Sequence, residues 1–261
     1  MIANDVPPEW GQPTTGKRLK GAELRDLVLN TAESLLSETG LTVSLDHLNM
    51  EELIRRVGVP RTSTFNEFGG KEGLITALIL KMIHPDESKG AAFSAATIDV
   101  ARRVVSENQH RLVDQAGCDD VLREAIRLGA KQNYDDIISS AYWKTYMALS
   151  VSLAGLPGDR RDQVLEMLRI VEARFIDTMS SFYDAMLPLV KRRVREGFDT
   201  RQIAATGSAV VEGVAERRFV NPELVETPIW QKGLDGEMVA WHLASIGFLS
   251  VIEGMTEPME K

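Results

Sequence analysis

The chain has 261 residues, of which 44% are hydrophobic and 26% are charged, and its formal net charge is −8. This composition is typical of a folded globular protein and excludes a disordered or fibrous chain. The single cysteine, Cys118, rules out an intramolecular disulfide and a cysteine-based zinc finger. Since no apolar run is long enough to span a bilayer, we expect a cytoplasmic protein without a membrane partner.

The N-terminal third combines a tail with four predicted helices. Residues 1–16 are rich in proline, glycine and threonine and are predicted to form a flexible tail. Apolar residues at helical spacing then predict four helices, which run from Gly21 to Gly40, from Asn49 to Gly58, from Arg61 to Phe68 and from Lys71 to Pro85. The run LTVSL at 41–45 predicts one short strand between the first two helices.

Beyond residue 85 the apolar pattern remains helical. We predict helices over 91–115, 119–154 with a break near Ser139, 159–196 with a kink at Pro188, 200–219 and 237–253. Residues 220–236 are rich in proline and glycine and are predicted to be a connection. Because strands and helices do not alternate, a parallel sheet is excluded and the fold class is all-α.

Two short helices joined by the turn Val57-Gly58-Val59-Pro60 have the arrangement of a helix-turn-helix. We expect Phe65 and Phe68, three positions apart, to face the interior of this domain. The opposite side of the second short helix carries polar residues, and these are the candidates for contacts with DNA bases: Arg61, Thr62, Ser63 and Asn66. Arginine can bind guanine and asparagine can bind adenine through paired hydrogen bonds in the major groove.

Charge is unevenly distributed along the chain. Between Lys17 and Lys81 nine basic residues balance nine acidic residues, so most of the negative charge lies in the C-terminal part. A basic cluster precedes the first helix, and its members are Lys17, Arg18 and Lys20. This cluster is either an arm that binds phosphates or the minor groove, or a solvated tail.

The segment GVPRTSTFNEFGGKEGL, from Gly58 to Leu74, resembles the TetR family of bacterial transcriptional regulators. The resemblance covers about residues 20–82. It implies that Lys71 contacts a backbone phosphate and that Asn49 caps the second helix, so that backbone amides there face another phosphate. Two positions depart from the family pattern, because Pro60 replaces the usual serine and Phe65 the usual tyrosine, and the gap between the first two helices is longer than usual.

The domain organisation follows from these patterns and this resemblance. We predict a tail at 1–16, a three-helix helix-turn-helix DNA-binding domain at 17–70, and a helical ligand-binding and dimerisation domain at 71–261 that begins with a connecting helix at 71–84. The predicted function is a homodimeric repressor that binds a palindromic operator in double-stranded DNA and is released by a small apolar effector. The alternative is a helical dimeric interaction protein that has lost specific DNA binding.

The C-terminal domain offers candidates for an effector site and for a dimer interface. Its aromatic residues and methionines occur in two clusters that could line an apolar cavity or form ordinary core, and the candidate ligand residues are Trp143, Tyr146, Met147, Phe175 and Met179. Small and apolar residues on the last two long helices could pair with a second chain or within one chain, and the candidates are Gly207, Val211, Val214, Trp241 and Leu249.

An enzymatic function is not predicted. The four histidines are scattered without metal-ligand spacing, and the chain has no P-loop, GxGxxG or GxSxG motif. The acidic residues that follow Cys118 oppose formation of a thiolate, so this cysteine is expected to be inert. We therefore predict no catalytic residue, no metal and no cofactor.

Overall fold

The computed structural model of the chain describes residues 21–39, 50–84 and 93–259. Within these ranges eleven α-helices dominate: α1 (Ala22–Thr39), α2 (Met50–Val57), α3 (Arg61–Phe68), α4 (Lys71–Met82), α5 (Ala95–Glu107), α6 (Gln115–Ser139), α7 (Ala141–Ser152), α8 (Gly158–Met186), α9 (Thr200–Val220), α10 (Pro222–Glu226) and α11 (Leu243–Met255). The chain divides into two compact units, residues 1–78 and 79–261. The predicted all-α fold class is confirmed.

Four short strands accompany the helices in the described part of the second unit. Strand β1 (Arg192–Val194) pairs antiparallel with β4 (Thr256–Pro258), and β2 (Ile229–Lys232) pairs antiparallel with β3 (Met238–Trp241). None of these strands exceeds four residues, so they connect and anchor helices rather than form a core sheet.

The helices of the first unit follow the predicted apolar spacing. Leu24, Val28, Ala32 and Leu35 recur along α1 and are all buried. On α2 the buried residues are Leu53 and Val57, one helical turn apart, and both α2 and α3 pack against α1. These short helices are stabilised by tertiary packing, because an isolated helix of eight residues does not persist in water.

Several predictions lie outside the described residues. These are the tail at 1–16, the strand at 41–45, the basic cluster of Lys17, Arg18 and Lys20, and the capping residue Asn49.

In the second unit several predicted element bounds are wrong. The helix predicted over 91–115 ends at Glu107. The helix predicted to continue to residue 196 ends at Met186, and Pro188 lies in the following 3₁₀ turn, Leu187–Val190, because proline cannot donate the next helical hydrogen bond. The last predicted helix starts at Leu243 rather than at 237, since 238–241 form β3. The predicted connection at 220–236 contains α10 and β2.

The core of the second unit is built from α5, α6, α8, α9 and α11. Helices α9 and α11 approach closely because glycine stands at two of their contact points. A Cβ atom on Gly207 would collide with the ring of Phe248, and a Cβ atom on Gly247 would lie 2.6 Å from Cγ1 of Val210. The small residues predicted to permit close helix approach therefore act within one chain.

A buried arginine joins β1 to β4 and to the start of α6. Only 7% of Arg192 is exposed. Its Nε donates to the Thr256 hydroxyl at 2.8 Å, its Nη2 to the Thr256 carbonyl at 3.1 Å and its Nη1 to the Asp119 carboxylate at 3.0 Å. Since these three acceptors satisfy the guanidinium, its burial stabilises the connection between distant segments.

Replacing Arg192 with alanine is expected to lower the free energy of unfolding of the second unit by about 2–4 kcal/mol, because buried acceptors lose their donor. The neighbouring Arg193 is the matched control, since it is exposed and pairs with the partly exposed Glu257 at 2.8 Å. Arg193→Ala should cost less than about 1 kcal/mol. Urea unfolding followed by circular dichroism measures both values, and equal losses would contradict the assigned role of Arg192.

Candidate functional site

The turn between α2 and α3 has the geometry that a helix-turn-helix requires. Gly58 follows the end of α2 with φ of +69°, a left-handed conformation that favours glycine. Pro60 precedes α3 in an extended conformation, and its carbonyl accepts the backbone N–H of Thr64 at 3.1 Å and the Thr64 hydroxyl at 3.4 Å. The proline therefore starts α3 without a side-chain cap.

Two residues one turn apart anchor α3. Thr64 is fully buried and Phe68 is 8% exposed, whereas Phe65 is only half-buried. The expectation that Phe65 faces the interior together with Phe68 is thus corrected, since the buried stripe has a spacing of four residues rather than three. Arg25 of α1 places its guanidinium 4.7 Å from the ring centroid of Phe68, which adds a cation–π contact to this anchor.

The opposite side of α3 is exposed and polar. The structure brings together the four predicted base-contact residues, Arg61, Thr62, Ser63 and Asn66, and all four are exposed. The Arg61 guanidinium lies 5.3 Å from the ring centroid of Phe65, so it is held along the helix. Lys71, the predicted phosphate contact, is exposed at the first residue of α4.

The two arginines of α2 are compensated by an acidic residue on the same helix. Arg55 and Arg56 donate to the Glu52 carboxylate at 2.7 and 2.8 Å. These hydrogen bonds lower the pKa of Glu52 to about 2, so the carboxylate is charged at neutral pH. Glu52 therefore neutralises one of the two positive charges, and the other remains on the surface of the first unit.

The second unit contains a partly open apolar cavity of about 80 Å³. Its walls come from five helices, and representative lining residues are Ala101 of α5, Gly129 of α6, Met179 of α8, Gly207 of α9 and Phe248 of α11. All of its lining residues that the structure describes are uncharged, and the polar side chains among them are Thr97, Asn133, Tyr183 and Ser208. Such a space suits a small, predominantly apolar ligand.

Of the five predicted ligand residues, Met179 lines this cavity. The other four, Trp143, Tyr146, Met147 and Phe175, do not. The Phe175 ring instead packs edge-on against Tyr142 and Tyr146, with ring centroids 6.4 Å apart in both pairs. The aromatic and methionine cluster on α8 does contribute to the cavity through Met179, Phe182 and Tyr183, whereas the cluster on α7 does not. The small residues that leave the space open, such as Ala101 and Gly129, give no such signal in the sequence.

The five predicted dimer residues lie in intrachain packing. Val211, Trp241 and Leu249 are at most 5% exposed, Gly207 is covered by Phe248, and Val214 packs against the same internal cluster as Val211. The four buried positions have no surface left for a second chain, whereas Val214 is only partly buried and stays a predicted interface residue.

A partly buried carboxylate, that of Glu212, lies beside the aromatic residues of α7. The pKa of Glu212 on α9 is raised to about 7, chiefly because burial disfavours the charged form and also because Glu172 is nearby, with the Trp143 indole acting in the opposite direction. Glu172 also accepts the Tyr146 hydroxyl at 2.7 Å. Glu212 is therefore partly protonated at neutral pH.

Among the described residues, no group of three or more His, Cys, Asp or Glu side chains is placed to hold a metal ion. Within the same ranges, every helix is too short or too polar to cross a membrane.

Comparisons with known proteins find distant structural similarity. No protein-family model matches the chain, and no curated protein matches its sequence. Among solved structures, the chain is similar to NalD, the secondary repressor of the MexAB-OprM multidrug efflux pump in Pseudomonas aeruginosa, with 17% identity, a TM-score of 0.43, and coverage of 89% of this chain and 96% of NalD.

Two further structures show comparable similarity. SmeT, the repressor of the Stenotrophomonas maltophilia multidrug efflux pump SmeDEF, has 16% identity and a TM-score of 0.43, with 94% of this chain and 93% of SmeT covered. A protein assigned to the TetR family of transcriptional regulators from Rhodococcus sp. has 16% identity and a TM-score of 0.40, with 90% and 99% covered. Similarity this distant assigns no function, which has to be inferred from the geometry of the two sites.

The raised pKa of Glu212 predicts a pH-dependent stability. The folded chain binds a proton near pH 7 that the unfolded chain, with a pKa near 4.5, binds only in acid, so stability falls as pH rises from 4.5 to 7. Glu212→Gln removes this loss and should be more stable than the unmodified chain by about 1–3 kcal/mol above pH 7, but not at pH 4.5. Urea unfolding between pH 4.5 and 7 measures this difference in stability, and Glu196→Gln, at an exposed position, is the control. If the stability difference between Glu212→Gln and the unmodified chain did not change with pH, the raised pKa of Glu212 would be refuted.

Proposed function

We propose that the protein is a homodimeric transcriptional regulator that binds a palindromic operator in double-stranded DNA through α3. The observation that carries this proposal is the exposed polar face formed by Arg61, Thr62, Ser63 and Asn66 on a helix whose other face is anchored by Thr64. The short polar side chains let the helix backbone approach base edges closely in the major groove, which admits one α-helix.

Each residue of this face has a defined chemical task. Arg61 would leave the ring of Phe65 to donate two hydrogen bonds to guanine, and Asn66 would pair with adenine. Thr62 and Ser63 would contact bases or phosphates through their hydroxyl groups. Arg61 lies at the first residue of α3, which is the end of a recognition helix that meets base edges.

Phosphate contacts would supply most of the affinity. Lys71 is exposed where α4 begins, directly after the turn that ends α3, and is the described residue that we assign to a backbone phosphate. Asn49 and the basic cluster of Lys17, Arg18 and Lys20 are proposed to add further contacts. Affinity should therefore fall steeply with salt concentration.

Two copies of the chain are needed for a specific site. One α-helix of eight residues reads only a few base pairs, which is too little to distinguish an operator from the many competing sites of a genome. A symmetric dimer would place two α3 helices about one turn of DNA apart, roughly 34–36 Å, and a palindromic operator mirrors that symmetry.

The cavity is proposed to receive a small apolar effector that releases the DNA, so that the protein acts as a repressor. A chain of contacts runs from the cavity to the end of α4. Met179 lines the cavity, Phe175 lies one turn earlier on α8 and its ring meets Tyr142, and the Tyr142 hydroxyl donates to the Ile83 carbonyl at 2.9 Å. Because α4 also belongs to the first unit, a shift of α8 on ligand binding would reach the DNA-binding helices.

Selection from a library of random DNA duplexes tests the proposal without knowledge of the operator. The protein should enrich a palindromic sequence, and the double variant Arg61→Ala, Asn66→Ala should bind that sequence at least about 100-fold more weakly, because each lost base contact is worth about 1–3 kcal/mol. Gel-shift titration at several salt concentrations measures the affinities.

The control for this experiment removes an equal charge elsewhere. Arg103 is exposed on α5 of the second unit, and Arg103→Ala should bind the selected DNA like the unmodified protein. Analytical ultracentrifugation confirms that each variant keeps its oligomeric state. If a dimer enriches no sequence at low salt, the chain is instead an interaction protein that has lost specific DNA binding.

Tyr142→Phe tests the coupling route. This variant keeps the ring contact with Phe175 but removes the hydroxyl that binds the Ile83 carbonyl. We expect unchanged ligand affinity and operator affinity, but a several-fold smaller decrease of operator affinity on ligand addition, since one hydrogen bond contributes about 0.5–1.5 kcal/mol. Operator titrations with and without ligand measure this coupling, and full retention of the ligand effect would exclude the route.

A further inference from the structure

The cavity of the second unit contains two kinds of polar group. Thr97 and Ser208 are satisfied within the protein, because the Thr97 hydroxyl donates to Asp136 at 3.1 Å and the Ser208 hydroxyl donates to the Ala205 carbonyl at 3.1 Å. Neither group needs a further partner, so both act as neutral parts of the wall.

Asn133 and Tyr183 are different. The Oδ1 atom of Asn133 is inaccessible to solvent and has no hydrogen-bond partner among the described residues. The Tyr183 hydroxyl likewise makes no hydrogen bond within the ranges that the structure describes, although its ring packs against Phe93, Phe182 and Phe248. Because a buried polar group without a partner is costly, the Oδ1 atom of Asn133 indicates a missing partner, and both Asn133 and Tyr183 line the cavity.

The wall also limits the charge of that partner. No Asp, Glu, Lys, Arg or His belongs to the described lining, so a charged ligand would be buried without a counter-ion. Burying an unpaired charge costs several kcal/mol, whereas a hydroxyl or amide is satisfied by one or two hydrogen bonds. An asparagine amide and a phenol can each donate and accept, so they suit a neutral polar group of either kind.

The volume limits the size of the ligand. About 10–15 Å³ is enough for one water molecule, so the cavity of about 80 Å³ has room for a small molecule of several non-hydrogen atoms. A single small ring or a short aliphatic chain with one polar group fills it.

We propose that the cavity selects an uncharged ligand of this size with an apolar body and one hydroxyl or amide group, which binds Asn133 and Tyr183. This inference rests on the proposed function, since it takes the cavity as the effector site and adds the chemical class of the effector. Asn133 and Tyr183 determine which way the ligand faces, and the remaining wall, including Met179, covers its apolar part.

Three pairs of molecules, matched in size within each pair, test the selection by calorimetric titration of the whole chain without DNA. Phenol should bind about three- to tenfold more tightly than toluene, because only phenol satisfies the two polar groups. Cyclohexanol should bind at least about tenfold more tightly than cyclohexylammonium, and pentanamide at least about tenfold more tightly than pentanoate. Equal binding of phenol and toluene, tighter binding of either ion, or binding of none of the six would overturn the proposal.

Variants identify the residues responsible. Asn133→Leu and Tyr183→Phe should each reduce the preference for phenol over toluene by about threefold, and Ser208→Ala, on the same wall but already satisfied, should leave it unchanged. If Asn133→Leu does not fold, comparison of Tyr183→Phe with the unmodified chain still tests whether these polar groups give the preference for phenol. A preference that survives both variants would show that other groups hold the ligand.

This test is separate from the test of DNA binding. Loss of the ligand preference with intact operator binding would refute this inference alone. A chain that shows the ligand preference but enriches no DNA sequence would refute the proposed function instead, and the cavity would then serve another process.

Discussion

Burial of one narrow stripe of α3 determines which side chains the opposite side of this helix presents to the outside. Thr64 and Phe68 hold the helix against the first unit, and a helix this short has no stability without that contact. Because threonine is small, the helix lies close to its neighbours and its outward side is fixed in direction. The left-handed turn at Gly58 sets where the helix begins, so Asn66 and its neighbours stand outward as a group.

In the second unit, small residues account both for the close packing of helices and for the cavity. Gly207 lets α9 lie against Phe248 of α11, and this close approach leaves room on the inner side, where α5 and α6 also present small residues such as Ala101 and Gly129. A larger residue at Gly207 would displace the Phe248 ring, and Phe248 also lines the cavity. Helix packing and cavity shape therefore cannot vary independently.

The sequence predicts the helices well wherever an apolar stripe ends at glycine or proline, as in α1, α2 and α3. It misses the strands because three or four residues show no reliable periodicity and β1 pairs with β4 only after a long separation along the chain. The outward side of α3 is predictable from local spacing, although Phe65 is misplaced. The cavity is predictable only in part, because its position depends on which helices pack together. Met179 of the aromatic and methionine cluster on α8 lines it, whereas Trp143 on α7 belongs to the core.

The pairing of β1 with β4 has a consequence for biosynthesis. Contacts within the first unit join residues up to position 78, so this unit can fold on the ribosome before the second unit has been synthesised. Arg192 acquires its Thr256 acceptors only after the 64 residues that separate the two positions have been synthesised. Until then its guanidinium is hydrated and β1 has no partner strand, and during this interval a chaperone would have the most to protect.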